Sequence, residues 1–188
     1  MQRSLLVIGL LLVNLSLLHA QAISPGDSTI IPAAAQKNAQ SEMIENIKKG
    51  FLGHPLADFS FKDVNKNHLS KKELEGKVIV VNFWFTACKP CIEEIPLLNE
   101  VVTSYKDKGV VFIAPGLDEA SLVNKFLVKH PFNYQVVANQ TAYADKMKVE
   151  VFPTHLITDK KGIIKQVVIG YHADIKDQLG KAIDWLLQ

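Results

Sequence analysis

Apolar and polar positions along this chain switch repeatedly between a period of two and a period near 3.6, so strands and helices should alternate from Pro55 onward. Ala57-Asp58-Phe59-Ser60-Phe61 puts its phenylalanines on one face of an extended segment, and Asp63 to Asn67 supplies a turn. Val78 to Phe85 is apolar at every position except Asn82, the signature of a central strand buried on both faces. Cys91, Ile95, Leu98, Val102 and Tyr105 then recur at steps of four and three, which predicts a helix from the cysteines to about Lys108. Pro90 suits its first turn, and Gly109 ends it. Pro96 lies inside the helix, where it removes the hydrogen bond to the Ile92 carbonyl and should bend the axis. Val110 to Ala114 predicts a second buried strand, parallel to the first through a right-handed crossover.

Asp118 is placed to cap a further helix whose apolar face is Leu122, Phe126 and Leu127, running to His130-Pro131. Tyr134 to Ala138 predicts a short strand and Thr141 to Val149 a helix. Pro153 to Thr158 is extended, Asp159-Lys160-Lys161-Gly162 forms a turn, and Ile163 to Ile169 returns as the second strand of a hairpin. Ile175, Leu179, Ile183 and Leu186 mark an amphipathic C-terminal helix. The order is β-α-β, an inserted αβα stretch, then β-β-α, which defines an α/β class.

The first fifty residues behave differently. Arg3 is followed by an uncharged run from Ser4 to Leu18 and then by small residues at Ala20 and Ala22, which reads as a secretory signal peptide over residues 1–22. The competing reading is an uncleaved membrane anchor, but the run stops short of the about 20 apolar residues that cross a bilayer. Residues 23–50 shift to Pro, Ala, Ser, Gln and Asn and read as a linker or short helical arm. Within it, Met43, Ile44 and Ile47 predict a helix from Ser41 to Lys49. Residues 51–188 then form one domain, since the chain left after cleavage is too short for two domains of ordinary size.

Lys and Arg number 21 against 19 Asp and Glu, without a basic run, so no nucleic-acid partner is expected. With two cysteines and 48% hydrophobic residues, a packed core and not a disulfide framework must hold the fold. No dinucleotide-type glycine motif, phosphate-binding loop or H-E-x-x-H is present. His54, His68, His130, His155 and His172 have no metal-ligand spacing and read as surface or hydrogen-bonded histidines.

Both cysteines lie in Cys88-Lys89-Pro90-Cys91, at the junction of the central strand and its helix. A disulfide closing so short a loop contributes only about 2 kcal/mol, so it is a weak staple. At a helix N-terminus, however, free N–H groups and the positive end of the dipole favour thiolate over thiol, and thiol–disulfide exchange is the reading that uses the motif. Cys88, at the exposed edge, is the attacking thiolate, with its pKa drawn below the ordinary thiol value. Cys91, one turn inward, resolves the mixed disulfide. Glu94, three residues further and on the same side of the helix, is placed to take or return the Cys91 proton, whereas Glu93 reads as a solvated helix residue. Trp84 reads as core. Two readings of other classes stand beside this one. The cysteines could hold Cu(I) or zinc, although a closed zinc site needs two more ligands. A peroxidase of the peroxiredoxin type is the other, but Phe85 stands where that arrangement has threonine three residues before its cysteine.

The ordered elements with C-x-x-C at the first helix resemble the thioredoxin fold: a central mixed sheet flanked by helices, here with an N-terminal extension and an inserted αβ stretch before the proline. Val81-Asn82-Phe83-Trp84, Cys88 to Cys91, Glu94-Ile95-Pro96, Pro153-Thr154, Gly162 and Gly170 together resemble the TlpA/ResA-type exported thiol–disulfide oxidoreductases, related to the AhpC/TSA redoxins, over about Gly53 to Gln188. Ala87 and Val151 depart from that pattern, where tryptophan and glycine are common. The resemblance implies a cis peptide before Pro153, a substrate groove of Lys89, Pro90, Phe152, Pro153 and Thr154, and a neutral Asn82 that leaves proton transfer to Glu94. It also implies a cofactor-free, soluble and monomeric periplasmic or otherwise exported protein that reduces protein disulfides. Apocytochrome cysteines in cytochrome c maturation are one implied client, and a membrane thiol–disulfide protein the implied electron donor.

Overall fold

The computed structural model describes residues 32–188, so the signal-peptide reading of residues 1–22 and the first part of the arm fall outside the described residues. Helix α1 (Ala33–Phe51) begins well before the expected Ser41. Its first residues, rich in Ala and Gln, show no apolar period but have strong intrinsic helix preference, and the Pro32 carbonyl accepts from the N–H of Ala35 at 2.8 Å. Ile44, Ile47 and Phe51 of α1 pack against the domain's core. Strands β1 (Ser60–Lys62) and β2 (His68–Ser70) form a separate antiparallel ribbon. Asp63 closes its turn by accepting the N–H groups of Asn65 at 2.9 Å and Asn67 at 2.8 Å.

The remaining elements are β3 (Val78–Phe83), α2 (Lys89–Ser104), β4 (Val110–Pro115), α3 (Ala120–Lys129), β5 (Gln135–Val137), α4 (Thr141–Lys146), β6 (Thr154–Thr158), β7 (Ile164–Ile169) and α5 (Ile175–Leu187). Five strands make one mixed sheet in the order β5-β4-β3-β6-β7, with β3, β4 and β5 parallel and β6 and β7 antiparallel to their neighbours. β3 is central and buried along its whole length, as its apolar run requires. Alternation divides its side chains between two cores. Val78, Val80 and Trp84 join Ile95 and Leu98 of α2 and Ile175, Leu179 and Ile183 of α5. Ile79, Val81 and Phe83 join Phe51, Leu56, Tyr143 and Met147 on the other side.

Two expectations around α3 are corrected. Glu119, not Asp118, occupies the cap position, and the helix turns Val123 into the core while Leu122 is 43% exposed. Asp118 serves a different backbone: its Oδ2 accepts the N–H of Thr86 at 2.6 Å. Helix α4 also stops at Lys146, short of Val149, because Lys148 adopts a left-handed φ of 57°. Among the described residues no helix is long and apolar enough to cross a membrane.

Candidate active site

The end of β3 delivers the cysteine loop. Trp84 bridges to Gly116, Thr86 is tied to Asp118, and Cys88 occupies the N-cap of α2 with Pro90 in its first turn. Cys88 and Cys91 are joined in a disulfide with Cα atoms 5.3 Å apart. Cys88 is 4% exposed, not the open edge expected of it, because its sulfur turns back over the helix start, where the Cys91 N–H lies 3.3 Å away. That N–H is one of the donors a helix N-terminus leaves without an intrahelical partner, so it is available to a Cys88 thiolate. Lys89 is exposed, with Glu93 3.8 Å away at a surface position, and Pro90 is half-buried.

The second wall of the site comes from the start of β6. Register places Thr154 opposite Phe83, so the preceding loop lies at the same sheet end as the cysteine loop. The Phe152–Pro153 peptide is cis. Half-buried Phe152 meets Phe85 edge to face with ring centroids 5.5 Å apart, joining the two loops. Pro153 and Thr154 are buried, and the Thr154 hydroxyl donates to the Val151 carbonyl at 2.7 Å.

Glu94 is completely buried. Its Oε1 accepts from the amide of Asn82 at 2.9 Å and lies 2.9 Å from Nε2 of His155. Its Oε2 finds no hydrogen-bond partner among the described residues. The hydroxyl of Tyr134 is likewise buried without a partner, and burial first, then the Glu94 charge, hold it well above the ordinary phenol pKa. Glu94 thus sits one turn below Cys91 with one oxygen fixed and the other open. Such a carboxylate can take a proton without breaking an existing bond.

His155 is the residue that sequence reasoning assigned no role. It is fully buried and pairs directly across the sheet with Asn82. The available signal was an ionisable side chain inside the short strand Thr154–Thr158, a weaker cue than the lone Asn82 in the apolar run of β3 because threonines flank it at both ends. Among the described residues no group of three or more His, Cys, Asp or Glu is arranged to hold a metal ion.

A mixed sheet with a cysteine pair capping the first crossover helix and a cis-proline loop beside it defines a thioredoxin-like thiol–disulfide exchange protein. The profile of the AhpC/TSA family matches residues 52–167. The chain is 33% identical over 130 residues to the thiol–disulfide oxidoreductase ResA of Bacillus cereus, covering 68% of this chain and 74% of that protein. It is 30% identical over 147 residues to ResA of Oceanobacillus iheyensis, covering 75% and 77%. The chain therefore belongs to the AhpC/TSA family, among the ResA-type thiol–disulfide oxidoreductases. In three dimensions it resembles a thioredoxin-family thiol:disulfide interchange protein of Chlorobium tepidum, with a TM-score of 0.64, 22% identity and coverage of 72% of this chain and 97% of that one. It also resembles StoA of Bacillus subtilis, with a TM-score of 0.59, 20% identity and coverage of 69% and 97%.

Proposed function

We propose that this chain is an exported reductase of protein disulfides. Residues 1–22 leave as a signal peptide, residues 23–50 form an arm whose later part is α1, and residues 51–188 act as a soluble monomer. The Cys88 thiolate attacks a client disulfide, forming a mixed disulfide and releasing one client thiolate. Cys91 then passes its proton to Glu94 and attacks Cys88, which forms the intramolecular disulfide and releases the second client thiolate. Lys89, Pro90, Phe152, Pro153 and Thr154 border the client strand, and a membrane dithiol returns the two electrons. Clients of the apocytochrome kind, whose cysteines must be reduced before haem attachment, fit an exported reductase.

The observation that carries this reading is the buried Glu94 carboxylate on the cysteine helix, held by neighbours at one oxygen only. A proton acceptor set beside the inner cysteine serves the resolving step, which a passive disulfide does not need. The testing measurement is the reduction potential of the Cys88/Cys91 couple in thiol–disulfide buffers, read by the fluorescence of Trp84. A value below about −220 mV supports a reductase, whereas one near −120 mV makes the protein an oxidant.

A further inference from the structure

We propose that His155 is a positioning residue for thiol–disulfide exchange: from β6 it holds the Glu94 carboxylate in the orientation that receives the Cys91 proton. This rests on the proton-transfer role given to Glu94 above.

Matching donors to acceptors shows how Glu94 is held. Oε1 of Glu94 already accepts from the Asn82 amide, so the Asn82 nitrogen points into the site. That nitrogen lies 3.2 Å from Nδ1 of His155 and 3.3 Å from Nε2. A nitrogen nearly equidistant from both ring nitrogens lies over the ring and not along the lone pair of either, so the ring's polar contact is Nε2, which donates to Oε1 of Glu94 2.9 Å away. Oε1 of Glu94 thus takes two nitrogen donors, the Asn82 amide from β3 and Nε2 of His155 from β6. Hydrogen bonds to the charged form favour it. They also leave Oε2 as the atom that takes the proton.

Among the described residues, the titratable groups around the cluster are Cys91 and Glu94 from α2 and Tyr134 ahead of β5, whose phenol is held well above its ordinary value by burial and then by the Glu94 charge. β3 contributes only the Asn82 amide, β7 sets Val168 opposite His155, and α5 lines the same core with Ile175, Leu179 and Ile183. A fully buried imidazole with its donor on a carboxylate beside the reacting pair is more than packing requires, since an apolar side chain would fill the same volume.

The step balances without another reagent. In a mixed disulfide between Cys88 and an aryl thiol, the Cys91 proton moves to Oε2 of Glu94 and the Cys91 sulfur bonds to the Cys88 sulfur. The bond to the aryl sulfur breaks, and the aryl thiolate leaves with the electron pair.

The experiment uses the reduced protein and the chromogenic disulfide DTNB, which releases one nitrothiobenzoate on attack by Cys88 and a second on resolution by Cys91. The acid limb of the second phase reports ionisation of the base, Glu94. His155→Leu removes a donor from the carboxylate and should move that limb up by about one pH unit, a tenfold loss of rate on the acid side. His155→Gln, which keeps an N–H donor, should restore most of it. Glu94→Gln should abolish the limb, and His155→Leu should then add nothing to it. An unmoved limb in His155→Leu beside a moved one in Glu94→Gln overturns the role of His155 and leaves that of Glu94 standing. Unmoved limbs in both overturn the two together. Where His155→Leu does not fold, ring-nitrogen NMR of the unaltered protein beside Glu94→Gln decides. A ring Nε2 resonance that shifts on Glu94→Gln supports the proposal, and one that Glu94→Gln leaves unmoved overturns it.

Discussion

At the scale of single residues, the cysteine loop is held by a bond that crosses the fold. Asp118, after β4, accepts the N–H of Thr86 at 2.6 Å, two residues before Cys88. Its own carbonyl also accepts the N–H of Asn139 at 2.8 Å. A charge-assisted bond of this kind contributes about 1.5–3 kcal/mol, and removing its acceptor leaves a half-buried N–H unpaired. Asp118→Ala should lower unfolding stability in urea by about 2 kcal/mol, and Asp118→Asn, which keeps a neutral carbonyl oxygen, should recover about half of that. Equal losses in the two variants would show that the bond to Thr86 is not what matters. The carboxylate was visible in the sequence as a capping residue, but its partner lies 32 positions away. The same holds for His155, whose separation from Asn82 is 73 residues and whose meaning depends on strand register. Local spacing carried Cys88, Cys91 and Glu94 because all three stand on one helix; contacts across the sheet leave no such spacing.

At the scale of elements, periodicity was enough to place most strands and helices, since buried stripes and alternating faces are local properties of the chain. It failed where intrinsic helix preference acted without an apolar stripe, at the start of α1, and where a one-residue change of cap rotated a face, exchanging Leu122 for Val123 in α3. The clasp between α2 and α5 was also hidden. Tyr105, at the end of α2, packs its ring in the core and donates its hydroxyl to Asp184 at 2.7 Å, with the Gly180 carbonyl 3.0 Å away. Burial, followed by the Asp184 carboxylate, pushes the Tyr105 phenol up to about 12. Because the folded value is raised above that of the unfolded chain, the protonated phenol favours the folded state. That contribution is complete below the unfolded tyrosine value near 10 and is lost as pH rises toward the folded one. Tyr105→Phe should cost about 1 kcal/mol at neutral pH. The gap between Phe variant and parent should then close between about pH 10 and 12. Tyr134 and Tyr143 are also raised by burial and remain in both proteins, so the difference isolates Tyr105. A gap constant with pH would mean that the phenol's charge state does not bear on the clasp.

At the scale of the whole molecule, the direction of electron flow becomes a statement about stability. Folding and reduction form a thermodynamic cycle. The difference in unfolding free energy between oxidised and reduced protein equals that between the folded and unfolded redox couples, about 1.4 kcal/mol for every 30 mV. An oxidant has a folded state that favours its dithiol, as a thiolate held by helix donors and positive charge would produce. The arrangement around Cys91 pulls the other way: a buried carboxylate lies one turn below it, and negative charge close to a cysteine disfavours its thiolate. Both cysteines are nearly covered, and the Cys88 sulfur in the disulfide lies over the Cys91 N–H, so the oxidised loop fits the helix start without exposing either sulfur. The oxidised protein should therefore unfold at higher urea concentration than the reduced protein, with a common slope. Glu94→Gln, by removing the charge, should narrow the gap by stabilising the reduced form. A reduced protein that is the more stable of the two would place this chain among the oxidants and reverse the electron flow proposed for it.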